Sequence, residues 1–284
     1  MLTFVIYIAK DLTIAHTEYY PIQGTEPLQY YQRAYTGNLL TQIVKANAGV
    51  LSKLTLTQKH NLPINVPSDI TLDQFALLGT KDTELAWPVF SALLAELLAP
   101  GQSRPPVLFG LDGLPHAMTL SKYLDRDAQP IHAHDLALIR TFIDLLSGKR
   151  ALPNGGLVLA ADSLGNRPKL PTLDHCILRN EAIQLAKKEP SVVDSVVSPG
   201  DGARQVPVWN PYVASDSKVE AAMEGVEILR LGGLTKEEAR TVLEYYAASG
   251  MLRTTVTEAF VGERWTLSGG GVVGELEKGL KLRV

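Results

Sequence analysis

Four short apolar runs set the frame for this chain: residues 4–8, 107–111, 156–161 and 226–231. Each carries apolar residues on both of its faces, which is the pattern of a strand buried on both sides. The segments between the runs are far longer than a hairpin turn and leave room for helical crossovers. Together they predict an α/β architecture with a parallel sheet covered by helices on both sides.

Helical signals fill the intervening segments. Residues 27–48 follow Thr25-Glu26-Pro27, a cap with a first-turn proline, and predict a helix. Phe90, Leu93, Leu94 and Leu97 repeat at helical spacing, with Pro88 in the first turn. Leu138, Ile139, Phe142, Leu145 and Leu146 form a broad apolar face, closed by Gly148 ahead of Lys149 and Arg150. Thr235-Lys236-Glu237-Glu238 is a capping box, with Ala239, Val242, Leu243 and Tyr246 as its apolar stripe and Gly250 as the stop. After it, Thr254-Thr255-Val256 and Arg264-Trp265-Thr266-Leu267 predict two short strands, and an amphipathic piece follows around 276–282. Pro63 and Pro67 make 58–71 a loop. Residues 163–217 carry six prolines and predict a long irregular connection of the kind that a partner orders.

Composition narrows the class. With 45% hydrophobic and 20% charged residues, the chain is neither disordered throughout nor a disulfide-stapled miniprotein. Cys176 stands alone and cannot form an internal bridge, which fits a reducing compartment. The balance of 27 basic against 30 acidic residues excludes a strongly basic nucleic-acid binder. No run approaches the ~18 apolar residues of a membrane helix. The first residues lack the features of a signal or transit peptide. A chain that opens on a core strand reads as one whose upstream segment lies elsewhere.

One strand ends on a carboxylate, at Asp112-Gly113. In P-loop NTPases a buried strand of this kind delivers an aspartate to the Mg²⁺ held by nucleotide phosphates, at the carboxyl edge of the sheet where ligands bind. Asp-Gly is equally a turn dipeptide. The next strand exits through Ser163 and Asn166, which could serve as polar sensors near a terminal phosphate or simply form a loop exit. A glycine-rich loop of the form G-x-x-x-x-G-K-[ST] is absent: Ile143 stands where its first glycine would precede Gly148-Lys149. Gly113 occupies the place of a water-orienting acid, which argues against hydrolysis. Gly269-Gly270-Gly271-Val272-Val273-Gly274 has dinucleotide-fingerprint spacing but lies too close to the C-terminus for a βαβ unit, so it reads as a turn. His132, His134 and Asp135 precede a helix and dress its first turn, and Cys176 lacks the strand-to-helix elbow of a nucleophile. A metal or thiol hydrolase therefore has little support. Tyr19, Tyr20, Tyr30, Tyr31 and Tyr35 cluster with only Arg33 nearby, which favours packing over base stacking.

In order along the chain, Asp11-Leu12-Thr13, the strand ending at Asp112-Gly113, His134-Asp135-Leu136-Ala137-Leu138, the Gly155-Gly156 strand ending at Asp162, and the Thr235 helix to Glu244-Tyr245-Tyr246 with Gly250 resemble one family. It is the mitochondrial small-subunit ribosomal proteins of the death-associated-protein-three type, in their fungal form. The resemblance implies an AAA+-like P-loop NTPase fold over residues 1–231, without its phosphate loop, and a helical or winged lid over 232–284. It implies a structural, non-enzymatic place in the mitochondrial small ribosomal subunit, among its proteins and rRNA and near the large subunit, in the matrix. It also implies GTP or GDP with Mg²⁺ as ligands, Asp112 as the metal carboxylate, and Ser163 and Asn166 beside the nucleotide. With the family's phosphate loop expected ahead of residue 4, negligible nucleotide affinity is the expectation for this chain. The alternative is a soluble AAA+-like signalling NTPase unconnected to ribosomes.

Overall fold

The computed structural model describes residues 4–14, 17–67, 69–101, 104–162, 167–188 and 208–281. The chain divides into two compact units, Met1–Glu227 and Ile228–Val284. In the first, the strands are β1 (Phe4–Ile8), β2 (Tyr19–Ile22), β3 (Gln29–Gln32), β4 (Val107–Asp112), β5 (Leu120–Leu124), β6 (Pro130–His132) and β7 (Gly156–Ala161). Its helices are α1 (Arg33–Leu51), α2 (Leu72–Lys81), α3 (Ala86–Leu97), α4 (Leu114–Ala117), α5 (Ala137–Leu146), α6 (Pro171–Lys188) and α7 (Ser217–Ala222). The second unit holds α8 (Lys236–Ala248), α9 (Glu258–Leu267) and α10 (Val273–Lys281).

The central sheet is parallel, in the order β1-β4-β7. Three of the four apolar runs expected as sheet strands form it, and β4 lies in the middle. One face carries Phe4, Ile6 and Ile8 of β1 with Val107, Phe109 and Leu111 of β4, all at most 3% exposed. Burial of each such side chain contributes roughly 1.5–3 kcal/mol. Helix α1 packs on β1 and α5 on β7. Phe109 meets Phe142 of α5 edge to face, with ring centroids 5.3 Å apart. Helices α2 and α3 close against α1 at Gly79, where an added Cβ would sit 2.6 Å from a Leu40 methyl.

The opposite face differs from expectation. Val5, Tyr7, Leu157 and Leu159 point out of it and are 38–53% exposed. Among the described residues, helices cover one side of this sheet, not two.

Several local readings change as well. The predicted strand at 226–231 is irregular, with Leu229 and Leu231 more than 80% exposed. An apolar β-branched run makes a strand only beside a ladder partner, and among the described residues none pairs with it. The helix expected from Pro27 begins only at Arg33. Residues 29–32 instead pair with β2 in an antiparallel hairpin that sets Tyr20 opposite Tyr31. Cross-strand aromatic pairing there outweighs the helix-start signal. The proline-rich stretch 163–217 contains the 18-residue α6. Pro171 stands at its first position, where a missing N–H costs nothing.

In the second unit the capping box is present as expected. The Thr235 hydroxyl accepts from Glu238 N–H at 3.2 Å, and the Glu238 carboxylate accepts from Thr235 N–H at 2.8 Å. Ala239, Leu243, Val261 and Leu276 form a small core, flanked by Val242, Phe260 and Trp265. Residues 264–267, expected as a strand, instead end α9, whose N-cap Thr257 accepts from Phe260 N–H. Residues 254–256 are likewise irregular. The Trp265 indole N–H donates to the Leu234 carbonyl at 2.6 Å, so this residue serves tertiary packing. The triple glycine is the expected turn, between α9 and α10. At Gly271, φ is +85° and a Cβ would lie 2.2 Å from the Leu234 carbonyl oxygen, so no other residue fits.

Candidate functional site

The carboxyl edge of the sheet is where this architecture places ligands. Asp112 closes β4 there, at the end of the middle strand, and its side chain is exposed. Gly113 follows with φ +73° and turns the chain into α4. The left-handed backbone at this point favours glycine, so the Asp-Gly pair serves a turn and also presents a carboxylate.

The Tyr7 hydroxyl donates to Asp112 Oδ2 at 3.4 Å. Tyr7 is opposite Gly110 in the parallel register, and the bare glycine leaves a lane along which the tyrosine ring leans toward Asp112. Partial burial and the Asp112 charge raise the Tyr7 pKa, so the phenol stays protonated and acts as a donor. Sequence reasoning missed this partner, because strand spacing gives the face but not the register between strands. The signal available was the alternation of Tyr7 and Val5 against the buried Phe4, Ile6 and Ile8.

At the end of β7, Asp162 is bound by Arg167, which also grips Asp174 on α6. This fork ties the strand exit to the helix. Ser163 and Asn166 lie outside the described residues. Among the described residues, Asp112 has only Tyr7 as a hydrogen-bonding side chain and no phosphate cradle meets it, so the residues present do not by themselves fit a bound nucleotide. Likewise, no group of three or more His, Cys, Asp or Glu side chains among the described residues could hold a metal ion.

The remaining polar residues singled out in the sequence have structural partners. His132 Nδ1 accepts from His134 N–H at 3.1 Å, which orders the turn before α5. Burial, reinforced by the neighbouring His132, pushes the His134 pKa down to about 3, so its ring is neutral. Lys218 of α7 binds Asp135 at 2.7 Å. Cys176 is buried in α6, and burial pushes its thiol pKa up, away from nucleophile behaviour. The tyrosines pack: Tyr31 stacks on Trp87, and the Arg33 guanidinium sits 3.7 Å over the Tyr20 ring. A cleft of about 250 Å³ opens beyond β1, lined by polar residues that include Asp11, Asn38 and Gln42 and by the apolar Ala9, Ile14 and Leu39. No helix among the described residues is long and apolar enough to cross a membrane.

The fold and this edge define an α/β protein with a parallel three-stranded sheet and a carboxylate at the tip of its central strand. The chain belongs to the family described as mitochondrial ribosomal death-associated protein 3, whose family model matches residues 1–279. It is 45% identical over 275 residues to the small ribosomal subunit protein mS29 of Neurospora crassa, covering 95% of this chain and 54% of that protein. It is 26% identical over 237 residues to the Schizosaccharomyces pombe protein of the same name, covering 81% of this chain and 43% of that protein. The chain thus spans about half the length of the curated relatives it matches.

Proposed function

We propose that this chain is a structural constituent of the mitochondrial small ribosomal subunit. The observation that carries the reading is the 45% identity, over nearly the whole chain, to a protein named for that subunit. The chemistry agrees. A net charge of −3 suits a peripheral position held largely by protein neighbours, with limited rRNA contact. The partners in this reading are small-subunit proteins and rRNA, with the large subunit close by, in the mitochondrial matrix.

The sheet supports an AAA+-like P-loop relationship: three parallel strands with an aspartate at the carboxyl tip of the middle one. The unit of α8, α9 and α10 takes the place of the lid, and we read it as helical. In this reading Asp112 is the carboxylate that would face Mg²⁺, with Ser163 and Asn166 beside the nucleotide. The role is non-catalytic, and GTP or GDP affinity in this chain is negligible.

Two experiments test it. A tagged chain expressed in fungal mitochondria is expected to sediment with small subunits in a sucrose gradient. Recovery only from light fractions would defeat the ribosomal reading and favour the soluble signalling NTPase. Titration calorimetry with Mg·GTP is expected to show no heat of binding. Micromolar binding that Asp112→Ala abolishes would overturn the nucleotide part alone.

A further inference from the structure

Strand β6 ends on His132, whose ring is committed on both sides. The residue is 8% exposed. Its Nδ1 accepts from the His134 N–H at 3.1 Å and so carries no proton. The proton of the neutral ring therefore sits on Nε2. That nitrogen is buried and faces Asp216 Oδ2 at 3.3 Å, close enough for an ion pair but out of line for a good hydrogen bond. The His134 ring meets it edge to face, with centroids 4.6 Å apart.

Asp216 is the N-cap of α7. Its Oδ1 accepts from the N–H groups of Lys218 and Val219, at 2.9 and 3.4 Å. Lys218 reaches back to Asp135, in the turn that follows His132. The two contacts cross, with the ring facing the cap of α7 and the first turn of α7 facing the carboxylate. On its other side α7 is held by neutral groups. The Asp216 N–H donates to Thr172 Oγ1 of α6 at 3.1 Å, and the Asn180 amide of α6 donates to the carbonyls of Met223 and Val226. Charge fastens α7 to the turn Ala133–Asp135, and uncharged hydrogen bonds fasten it to α6.

A proton added to His132 has only Nδ1 to enter. There it would point at the His134 N–H, donor against donor. The ring can be charged only if that hydrogen bond breaks and the turn opens, and the turn carries Asp135, the partner of Lys218. The charged and titratable groups around the two rings are Asp135 of the turn, Arg140 of α5, and Asp216 and Lys218 of α7. Leu120, opposite His132 on β5, is apolar. Burial opposes the cation first, Asp216 favours it and Lys218 opposes it, and the balance holds the His132 pKa below the ordinary histidine value. The neutral ring belongs to the closed turn and the charged ring to the open one. The contact is therefore intact above pH ~6.5 and weakens as the pH falls.

We propose that His132 is a proton-operated latch between the turn Ala133–Asp135 and α7: uptake of a proton at Nδ1 opens the turn and lets α7 part from it, while α7 keeps its hold on α6. The change is local and reversible, and it does not depend on the ribosomal reading.

The test is amide hydrogen exchange by NMR on the 284-residue chain at pH ~7.5 and ~5.5, each rate divided by the intrinsic rate at that pH. An open state that titrates near ~6.5, against a closed state that takes no proton, raises the opening constant about tenfold over this interval. The amides of His134, Lys218 and Val219 are expected to lose protection by that factor, and those of α1 to keep theirs. Ring ¹⁵N shifts at the higher pH should show His132 protonated on Nε2. In His132→Asn the side-chain Oδ1 can still accept from the His134 N–H, as in an Asx-turn, but nothing titrates at that position. Protection at all three amides should then be the same at both pH values. The proposal fails if the ring proton is on Nδ1, if the three amides show no loss in the parent, or if the loss persists in His132→Asn. An equal loss across α1 would mean general acid unfolding and would also overturn it.

Discussion

Glu96 of α3 is fully buried, and so is most of Arg104, which binds it. The carboxylate also accepts from Thr57 Oγ1 at 2.7 Å, from Gln58 N–H at 2.9 Å and from Thr57 N–H at 3.1 Å, and it lies 2.9 Å from His60 Nε2. Burial works against its charge, but the hydrogen bonds from Thr57, His60 and Gln58 outweigh that and hold its pKa below the usual value. Replacing Glu96 with Leu leaves the Arg104 cation buried and unpaired, which costs ~3–5 kcal/mol. Arg104→Leu leaves the opposite charge and costs a similar amount. The double variant removes both charges, so its cost falls to that of the orphaned donors of Thr57 and Gln58, ~1–3 kcal/mol for each buried group. Urea denaturation followed by circular dichroism should therefore show strong coupling: the double variant is less destabilised than the two single changes added together. At ~2–4 °C per kcal/mol for a unit of this size, each single variant should melt roughly 6–20 °C lower. Single effects that add to within ~0.5 kcal/mol would mean the two charges do not depend on each other, and would refute the reasoning.

Three further outcomes are expected. Ala239→Asp places a carboxylate in the fully buried core of the second unit, at a cost of several kcal/mol, and an unchanged melting temperature would contradict the packing of α8. Gly79→Ala forces a methyl against Leu40 and Val89, so overpacking should cost ~1–3 kcal/mol by denaturant titration. His134 has its pKa pushed down to about 3 in the folded chain, whereas an unfolded histidine titrates near ~6.5. Acid therefore protonates the unfolded chain first. The His134 contribution is intact above pH ~6.5 and is lost as the pH falls toward ~3, by about 1.4 kcal/mol at pH ~5.5. Urea midpoints measured at the two pH values should show the loss, and His134→Gln should flatten it.

Those features of this fold that depend on local pattern are legible in the sequence. Consecutive apolar residues marked β1, β4 and β7, and Thr235 with Glu238 marked the start of α8, because burial and capping are written into a few adjacent side chains. The position of Asp112 at the tip of the central strand followed from the same run. What depends on a distant partner was not legible. The 226–231 run has apolar residues on both faces, but among the described residues it joins no strand ladder. Residues 264–267 have strand propensity, yet the Trp265 contact with Leu234 belongs to a helix. Tyr7 reaches Asp112 only through the register of β1 on β4, which no spacing within either strand encodes.

The irregular segments show the same limit from the other side. They are held by single buried polar side chains that satisfy backbone groups across long sequence separations, as buried polar atoms must. Gln32 donates to the Leu12 carbonyl, at 3.0 Å. Asn180 of α6 donates to the carbonyls of Met223 and Val226, at 2.6 and 3.0 Å. Glu96 collects the backbone N–H groups of Thr57 and Gln58 and so fixes the start of the loop carrying Pro63 and Pro67. In a reading by hydrophobic period these residues are breaks in an apolar face. In the fold they replace the ladder hydrogen bonds that a loop lacks. Asn47 does this for the β1 edge of the sheet, through Val5.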